Sequence, residues 1–153
     1  MKLTITPFRP VDVELLLAQG VTELQAREAE SPAAVIVRSG AIGPSVTVRS
    51  PAGIVLCGGL VLGPFQGQAK LWSLLSLLAG PHLLEVTRGV RRFLSDWPLR
   101  RIEAECIDTL DARGARWLSL LGFTYEGMMD GYGPNGERYL RFSKVNHRWP
   151  TSR

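Results

Sequence analysis

Two acidic residues in one predicted strand are the first candidates for chemistry. Glu103 and Glu105 alternate with apolar residues between Arg101 and Ile107, so both carboxylates should project from one face of a strand. A carboxylate held beside apolar surface has a raised pKa and can act as a general base near neutral pH. The competing interpretation is an ordinary solvated or salt-bridged face, because arginines flank the stretch. Two acids of the following strand could line an acceptor pocket: Glu126 and Asp130.

The positive charge of the chain is concentrated in one region. The formal net charge is +4 and the sequence pI is about 9.5, and much of this charge comes from Arg88, Arg91, Arg92, Arg100 and Arg101. Helical spacing places Arg88 beside both Arg91 and Arg92. This cluster is either a solvated helix face or a site for an anion, namely nucleotide phosphates, a nucleic-acid backbone or an acidic partner. Nucleic acid is disfavoured, because the tryptophans near basic residues form no base-stacking pattern.

Cysteine and histidine usage points away from disulfide and metal chemistry. Cys57 and Cys106 fall in predicted strands and are expected to be small buried residues. His82 and His147 lack the spacing of zinc ligands, so no metal site is expected. The chain has no apolar run of about 18 residues and its amino terminus lacks a signal-peptide core. The expected location is therefore the cytoplasm, away from membranes.

The elements that position these residues follow from periodicity and turn chemistry. The stretch Trp117 to Val145 contains a helix that ends at Gly122, a strand from Phe123, a turn at Pro134-Asn135-Gly136 and a last strand, Arg138 to Val145. The preceding elements are predicted as strand Leu3 to Thr6, one or two helices within Asp12 to Glu30, an irregular or mixed segment Ser31 to Pro44, strands Ser45 to Ser50, Ile54 to Leu62 and Ala69 to Ser76, helix Gly80 to Trp97, and strand Arg101 to Ile107. The order predicts an α+β fold with one mixed sheet. The expected core residues are Trp72, Leu74, Val86, Phe93, Ile102, Trp117, Leu118 and Leu121.

This succession of elements resembles the GNAT superfamily of acyl-CoA-dependent N-acyltransferases over nearly the whole chain, as a single domain, residues 1–153. Within the superfamily it is similar to small proteins of phages and prophages, including an internal virion protein family of short-tailed phages. The segments that carry the resemblance are Leu71 to Ser76, Arg91 to Leu94, Arg101 to Ala104, Arg116-Trp117 with Leu121-Gly122-Phe123, and Tyr132 to Gly136.

The resemblance implies a binding site for acetyl-CoA between two splayed parallel strands, Ala69 to Ser76 and Arg101 to Ile107. Backbone groups of the first strand, at Leu74, Leu75 and Ser76, would bind the pantetheine, and the phosphates would lie near Gly80, His82 and Arg88. In the family the phosphate loop carries Arg or Gln and then two small residues. Here the loop reads Ser76-Leu77-Leu78-Ala79-Gly80-Pro81-His82, and Pro81 has no N–H to donate. A solvated polar role for His82 is the alternative.

Many members of the family protonate the leaving thiolate with a tyrosine four residues before the glycine that ends the helix. That position is Leu118, and Tyr125 and Tyr132 are possible substitutes. Two functions therefore stay open. The first is an N-acyltransferase with Glu103 or Glu105 as base, acting on an amine of a small molecule or a protein. The second is an inactive phage protein that works as a virion or host-interaction component with phage structural partners, in the bacterial cytoplasm or the virion.

Overall fold

The computed structural model describes residues 2–38 and 43–149 of the chain. Its strands are β1 Thr4–Pro7, β2 Ser45–Ser50, β3 Gly53–Leu62, β4 Gln68–Leu75, β5 Arg101–Ile107, β6 Thr124–Met129 and β7 Tyr139–Val145. Its α-helices are α1 Val11–Gln19, α2 Glu23–Glu28, α3 Pro32–Arg38, α4 Leu83–Ser95 and α5 Arg113–Leu120. A 3-10 helix, Leu77–His82, runs directly into α4.

The strands form one seven-stranded mixed sheet in the order β1-β2-β3-β4-β5-β7-β6. All neighbours are antiparallel except β4 and β5, which are parallel. That pair is in register only over Gln68–Lys70 and Arg101–Glu103, and beyond these residues the two strands separate. The predicted α+β class, the splayed central strands and the carboxy-terminal hairpin are confirmed.

Helices cover both faces of the sheet, because residues alternate between its two sides. On one face, α1 and α3 bury Val13, Leu16 and Val37 against Trp72 and Leu74. On the other, α4 and α5 pack on the apolar side of β5, which is Ile102, Ala104 and Cys106. Six of the eight expected core residues are buried, namely Trp72, Leu74, Val86, Ile102, Leu118 and Leu121, whereas Phe93 and Trp117 are half-buried.

The segment predicted as irregular or mixed, Ser31 to Pro44, contains α3. Three β-branched residues favoured a strand there, but Ala34 and Val37 lie one helical turn apart and are both buried. Burial of this apolar pair therefore outweighs the local strand propensity. The predicted helix Gly80 to Trp97 is a 3-10 helix followed by α4. It starts earlier than expected because the Ser76 hydroxyl caps it, accepting a hydrogen bond from Leu78 N at 3.1 Å.

The two cysteines, Cys57 and Cys106, are buried free thiols, as expected. Burial raises the pKa of each to about 12, so neither is a reactive thiolate. None of the helices within residues 2–38 and 43–149 has the combination of length and hydrophobicity that a membrane span requires.

Candidate active site

A cleft of about 380 Å³ opens where β4 and β5 separate. One wall is β4, from Lys70 to Ser73 with Leu75, and the other is β5, from Ala104 to Ile107. Residues of α2, of the 3-10 helix and of the first turn of α5 complete it. The cleft is thus a gap in the sheet itself, lined by the edges of two strands.

Helix α2 closes one end of this gap by bonding to both strands. Gln25 Oε1 accepts a hydrogen bond from Leu75 N of β4 at 3.0 Å, and Glu28 Oε1 accepts one from Ile107 N of β5 at 2.8 Å. The spacing of three residues places both side chains on one face of α2. The backbone N–H and C=O groups of successive strand residues point to opposite edges of the strand. Ser73 and Leu75 are two residues apart, so their backbone groups point to the same edge of β4. Ser73 lies beyond the paired register, so its backbone groups face the cleft.

Glu28 has the electrostatic character of a general base. Its side chain is half-buried and lines the cleft. Burial raises its pKa to about 7, the nearby Glu105 charge adds to the rise, and the hydrogen bond from Ile107 N opposes it. A carboxylate with this pKa is divided between its two protonation states at neutral pH, which suits proton transfer.

Glu105, a predicted base, also lines the cleft, but its carboxylate already has partners. The Lys70 ammonium forms an ion pair with Glu105 Oε1, and the Tyr132 hydroxyl donates to the same oxygen at 2.9 Å. Arg141 Nη2 lies 3.8 Å from it. Burial is the largest single effect on the Lys70 pKa and lowers it, but the hydrogen bond and charge of Glu105, together with Tyr132, outweigh burial and raise that pKa. Lys70 therefore stays protonated within the cleft.

Glu103 and Tyr125 lie outside the cleft lining. Glu103 shares the face of Glu105, as alternation predicted, but it forms an ion pair with Arg101 at 3.2 Å. Tyr125 stands opposite Phe142 on edge strand β6, is half exposed and packs edge-on against that ring. Both remain predictions as catalytic residues, and the structure does not bring them to the cleft.

The suggested acceptor residues, Glu126 and Asp130, are also engaged by arginines. Arg101 holds the pKa of Glu126 at about 2, and Ser143 Oγ donates to Glu126 Oε2 at 2.8 Å. Asp130 forms an ion pair with Arg138. Glu126 is therefore poorly suited to accept a proton, and neither residue lines the cleft.

Of the six residues predicted to hold the cofactor, Leu75, Ser76 and Gly80 line the cleft, and Leu74, His82 and Arg88 do not. Leu74 alternates to the other face of β4 and is 1% exposed. Arg88 is exposed on α4, and His82 occupies the cap position of that helix.

The cleft fits an extended pantetheine arm, because free strand edges can bond its amides and apolar side chains can cover its methylene groups. The phosphate end fits poorly. In the loop before α4, Leu77 N donates to Gly20 O at 3.1 Å, Leu78 N to Ser76 Oγ at 3.1 Å, and Ala79 N to Ser76 O at 3.1 Å. An anion site at a helix start needs unbonded N–H groups. These three N–H groups already donate hydrogen bonds within the protein, so they are not free to bind a phosphate.

Sequence reasoning missed Glu28, Gln25 and Lys70. The first two lie in a predicted helix with no motif, and nothing in their spacing says that the helix spans the gap between two strands. Lys70 could have been found from the sequence. It lies two residues before Trp72 in β4, so both side chains share the face of the strand opposite Leu71.

No protein-family model matches the sequence, and a search of curated proteins finds no match. Solved structures do match in fold. A GCN5-related N-acetyltransferase from Brucella melitensis superposes with a TM-score of 0.65 at 19% identity, over 97% of this chain and 77% of that one. The ribosomal-protein-S5-alanine acetyltransferase of Vibrio fischeri gives 0.64 at 17% identity, over 99% and 97%. Spermidine N-acetyltransferase of Vibrio cholerae, in complex with CoA and spermine, gives 0.65 at 11% identity, over 94% and 95%. The chain therefore has the fold of the GCN5-related N-acetyltransferases.

Proposed function

We propose that this protein is an N-acyltransferase that moves an acyl group from a pantetheine thioester, such as acetyl-CoA, to an amine. The observation that carries the proposal is the cleft between β4 and β5, with the half-buried carboxylate of Glu28 at one end. The fold shared with acetyltransferases, including one solved with CoA and spermine, supports it. Bound in the cleft, the thioester would supply an activated acyl carbon.

Transfer forms a C–N bond and breaks a C–S bond, so the amine must lose a proton and the sulfur must gain one. Glu28 takes the proton from the amine, because it is the cleft carboxylate with a pKa near neutrality. Lys70 lies in the same cleft, remains protonated and is the candidate donor to the sulfur. Leu118, at the position of the family's tyrosine, is buried and has no proton to give.

The acceptor amine enters beside α2. Near Glu28 lies the Tyr139 hydroxyl, which is buried and has no hydrogen-bond partner among the described residues. Burial raises the pKa of Tyr139, and Glu28, Glu137 and Glu105 add to the effect. Tyr139 is fully buried and lies outside the cleft lining, so an acceptor in the cleft does not contact this hydroxyl. Two of these carboxylates, Glu28 and Glu105, line the cleft itself, and negative charge there favours a cationic acceptor.

The second candidate is a catalytically inactive phage protein of the same fold that acts as a virion-associated or host-interaction component. The observations that favour it are the three engaged amides before α4 and the leucine at position 118. Its phage origin rests on the sequence resemblance and stays a prediction.

Release of the free thiol from the acyl donor distinguishes the two candidate functions. The protein is mixed with millimolar acetyl-CoA or acetyl-phosphopantetheine and a panel of polyamines, amino-acid amides and peptide amino termini, and acetylated product is identified by mass spectrometry. We expect amine-dependent release, with kcat/KM lowered about 100-fold or more by Glu28→Gln. Glu103→Gln is the control and should retain activity within about threefold, because Glu103 lies outside the cleft. No release with any amine would favour the inactive candidate.

A further inference from the structure

The mouth of the cleft is apolar where a nucleotide donor would need hydrogen-bond donors. Beside Gly80, the side chains of Leu77, Leu83 and Leu84 are 61%, 44% and 65% exposed. Arg113, a cation that lines the cleft, is already ion-paired with Asp111 at 2.8 Å. Exposed leucines at the entrance of a ligand cleft indicate a surface that another apolar surface covers.

Helix α4 continues this apolar mouth as a basic face. Leu84, Arg88 and Arg91 follow one another at helical spacing, so they share one exposed side of the helix, and Arg92 is adjacent. Among the described residues, Arg88 and Arg92 form no ion pair. Arg91 Nη1 donates to Leu120 O at 3.3 Å, which keeps its charge at the surface. Against these three arginines α4 carries one carboxylate, Glu85.

Each charged hydrogen bond missing from the phosphate cradle lowers affinity for a nucleotide donor by about one to two powers of ten. The part of the cleft between β4 and β5, where the pantetheine would bind, is not affected by these missing hydrogen bonds. The cleft is therefore suited to a pantetheine arm, whereas its entrance is poorly suited to the nucleotide part of CoA.

We propose that the acyl donor is a thioester on the phosphopantetheine arm of an acidic carrier protein, which docks on the α4 face formed by Leu84, Arg88, Arg91 and Arg92. This inference rests on the proposed acyl transfer. The arm enters the cleft past Gly80, where no atom lies within 4 Å of the position of a side-chain carbon. Acidic residues of the carrier pair with the arginines, and its apolar residues cover the leucines. Arginine and leucine together suit an interface, because charge sets the orientation and apolar burial supplies affinity.

The test compares three donors with the best amine of the panel: acetyl-CoA, acetyl-phosphopantetheine, and a purified acidic bacterial acyl carrier protein whose phosphopantetheine thiol is acetylated. We expect KM for acetyl-CoA and acetyl-phosphopantetheine to agree within about threefold, since the cradle adds nothing for the nucleotide. KM for the acetylated carrier should be at least about tenfold lower, and the advantage should shrink with added salt.

An Arg88→Ala, Arg92→Ala double variant should remove the carrier's advantage and leave KM for acetyl-phosphopantetheine unchanged. The matched control is Lys2→Ala, Arg148→Ala, which removes two exposed cations away from α4 and from the cleft and should change neither value. Acetyl-CoA with a KM tenfold or more below that of acetyl-phosphopantetheine would overturn the inference. A carrier less than tenfold better than acetyl-phosphopantetheine, or one unaffected by the double variant, would also overturn it. Failure of all three donors would instead overturn the proposed acyl transfer itself.

Discussion

Glu28→Gln should make the protein more stable at alkaline pH, although it removes the proposed base. Glutamine keeps an oxygen that can accept the hydrogen bond from Ile107 N, but it carries no charge to desolvate. The folded-state pKa of Glu28 is about 7, above its ordinary value of 4.5, so the folded protein binds this proton more tightly than the unfolded chain. Wild-type stability therefore falls as pH rises from about 4.5 through 7, and the variant escapes that loss.

The magnitude follows from the two pKa values. A shift of this size corresponds to about 3 kcal/mol once the carboxylate is fully ionised in both states, at about 1.4 kcal/mol per pH unit. At pH 5 most of this difference has not yet developed. The advantage of Glu28→Gln should therefore grow by roughly 2 to 3 kcal/mol between pH 5 and pH 8.5, or roughly 5 to 10 °C in Tm for a chain of this length.

Urea unfolding of wild type and Glu28→Gln at pH 5, 7 and 8.5 measures this difference directly. Glu30→Gln is the control, because Glu30 is exposed and lies two residues further along the chain. Its effect should stay within about 0.5 kcal/mol at every pH. A Glu28→Gln difference that is constant with pH, or that falls as pH rises, would refute the assignment of a raised pKa to Glu28.

Two further predictions concern packing. Leu121→Ala should lower the unfolding free energy by about 2 to 5 kcal/mol, because Leu121 is 1% exposed, while exposed Leu120→Ala changes it by less than about 0.5 kcal/mol in the same urea titration; equal effects would contradict the placement of the end of α5. Gly59→Ala should cost about 1 to 3 kcal/mol, because a side-chain carbon there would lie 2.4 Å from a backbone oxygen of the neighbouring segment, whereas Gly80→Ala meets no atom within 4 Å. Calorimetric Tm values that rank the two glycine variants in the opposite order would count against the described packing.

The fold could be predicted from the sequence because its signals are local. Alternation separated the Glu103 and Glu105 side of β5 from its apolar side, and the Gly122 stop ended α5 where the structure ends it. The helix that replaced the irregular segment depends on contacts of Val37 with distant strands, which no local pattern records.

The site was less predictable, because it depends on which groups meet across the sheet. Alternation shows that Glu105 shares a face with Glu103, but not that Lys70 and Tyr132 occupy its carboxylate. Glu28 acquires its raised pKa only because α2 lies across the ends of two separated strands. Burial and distance between elements, rather than residue type, therefore decide which carboxylate can accept a proton.

The central claim is that the gap between β4 and β5 holds a pantetheine thioester. Amide chemical-shift mapping with acetyl-phosphopantetheine tests it most directly, because it reports binding without requiring the correct amine. We predict saturable shifts at Ser73 and Leu75 of β4 and at Glu105 and Ile107 of β5, whose amides face the cleft, with no comparable change in β1 or β2. Absence of shifts at millimolar ligand, or shifts confined to residues outside the cleft, would contradict the claim.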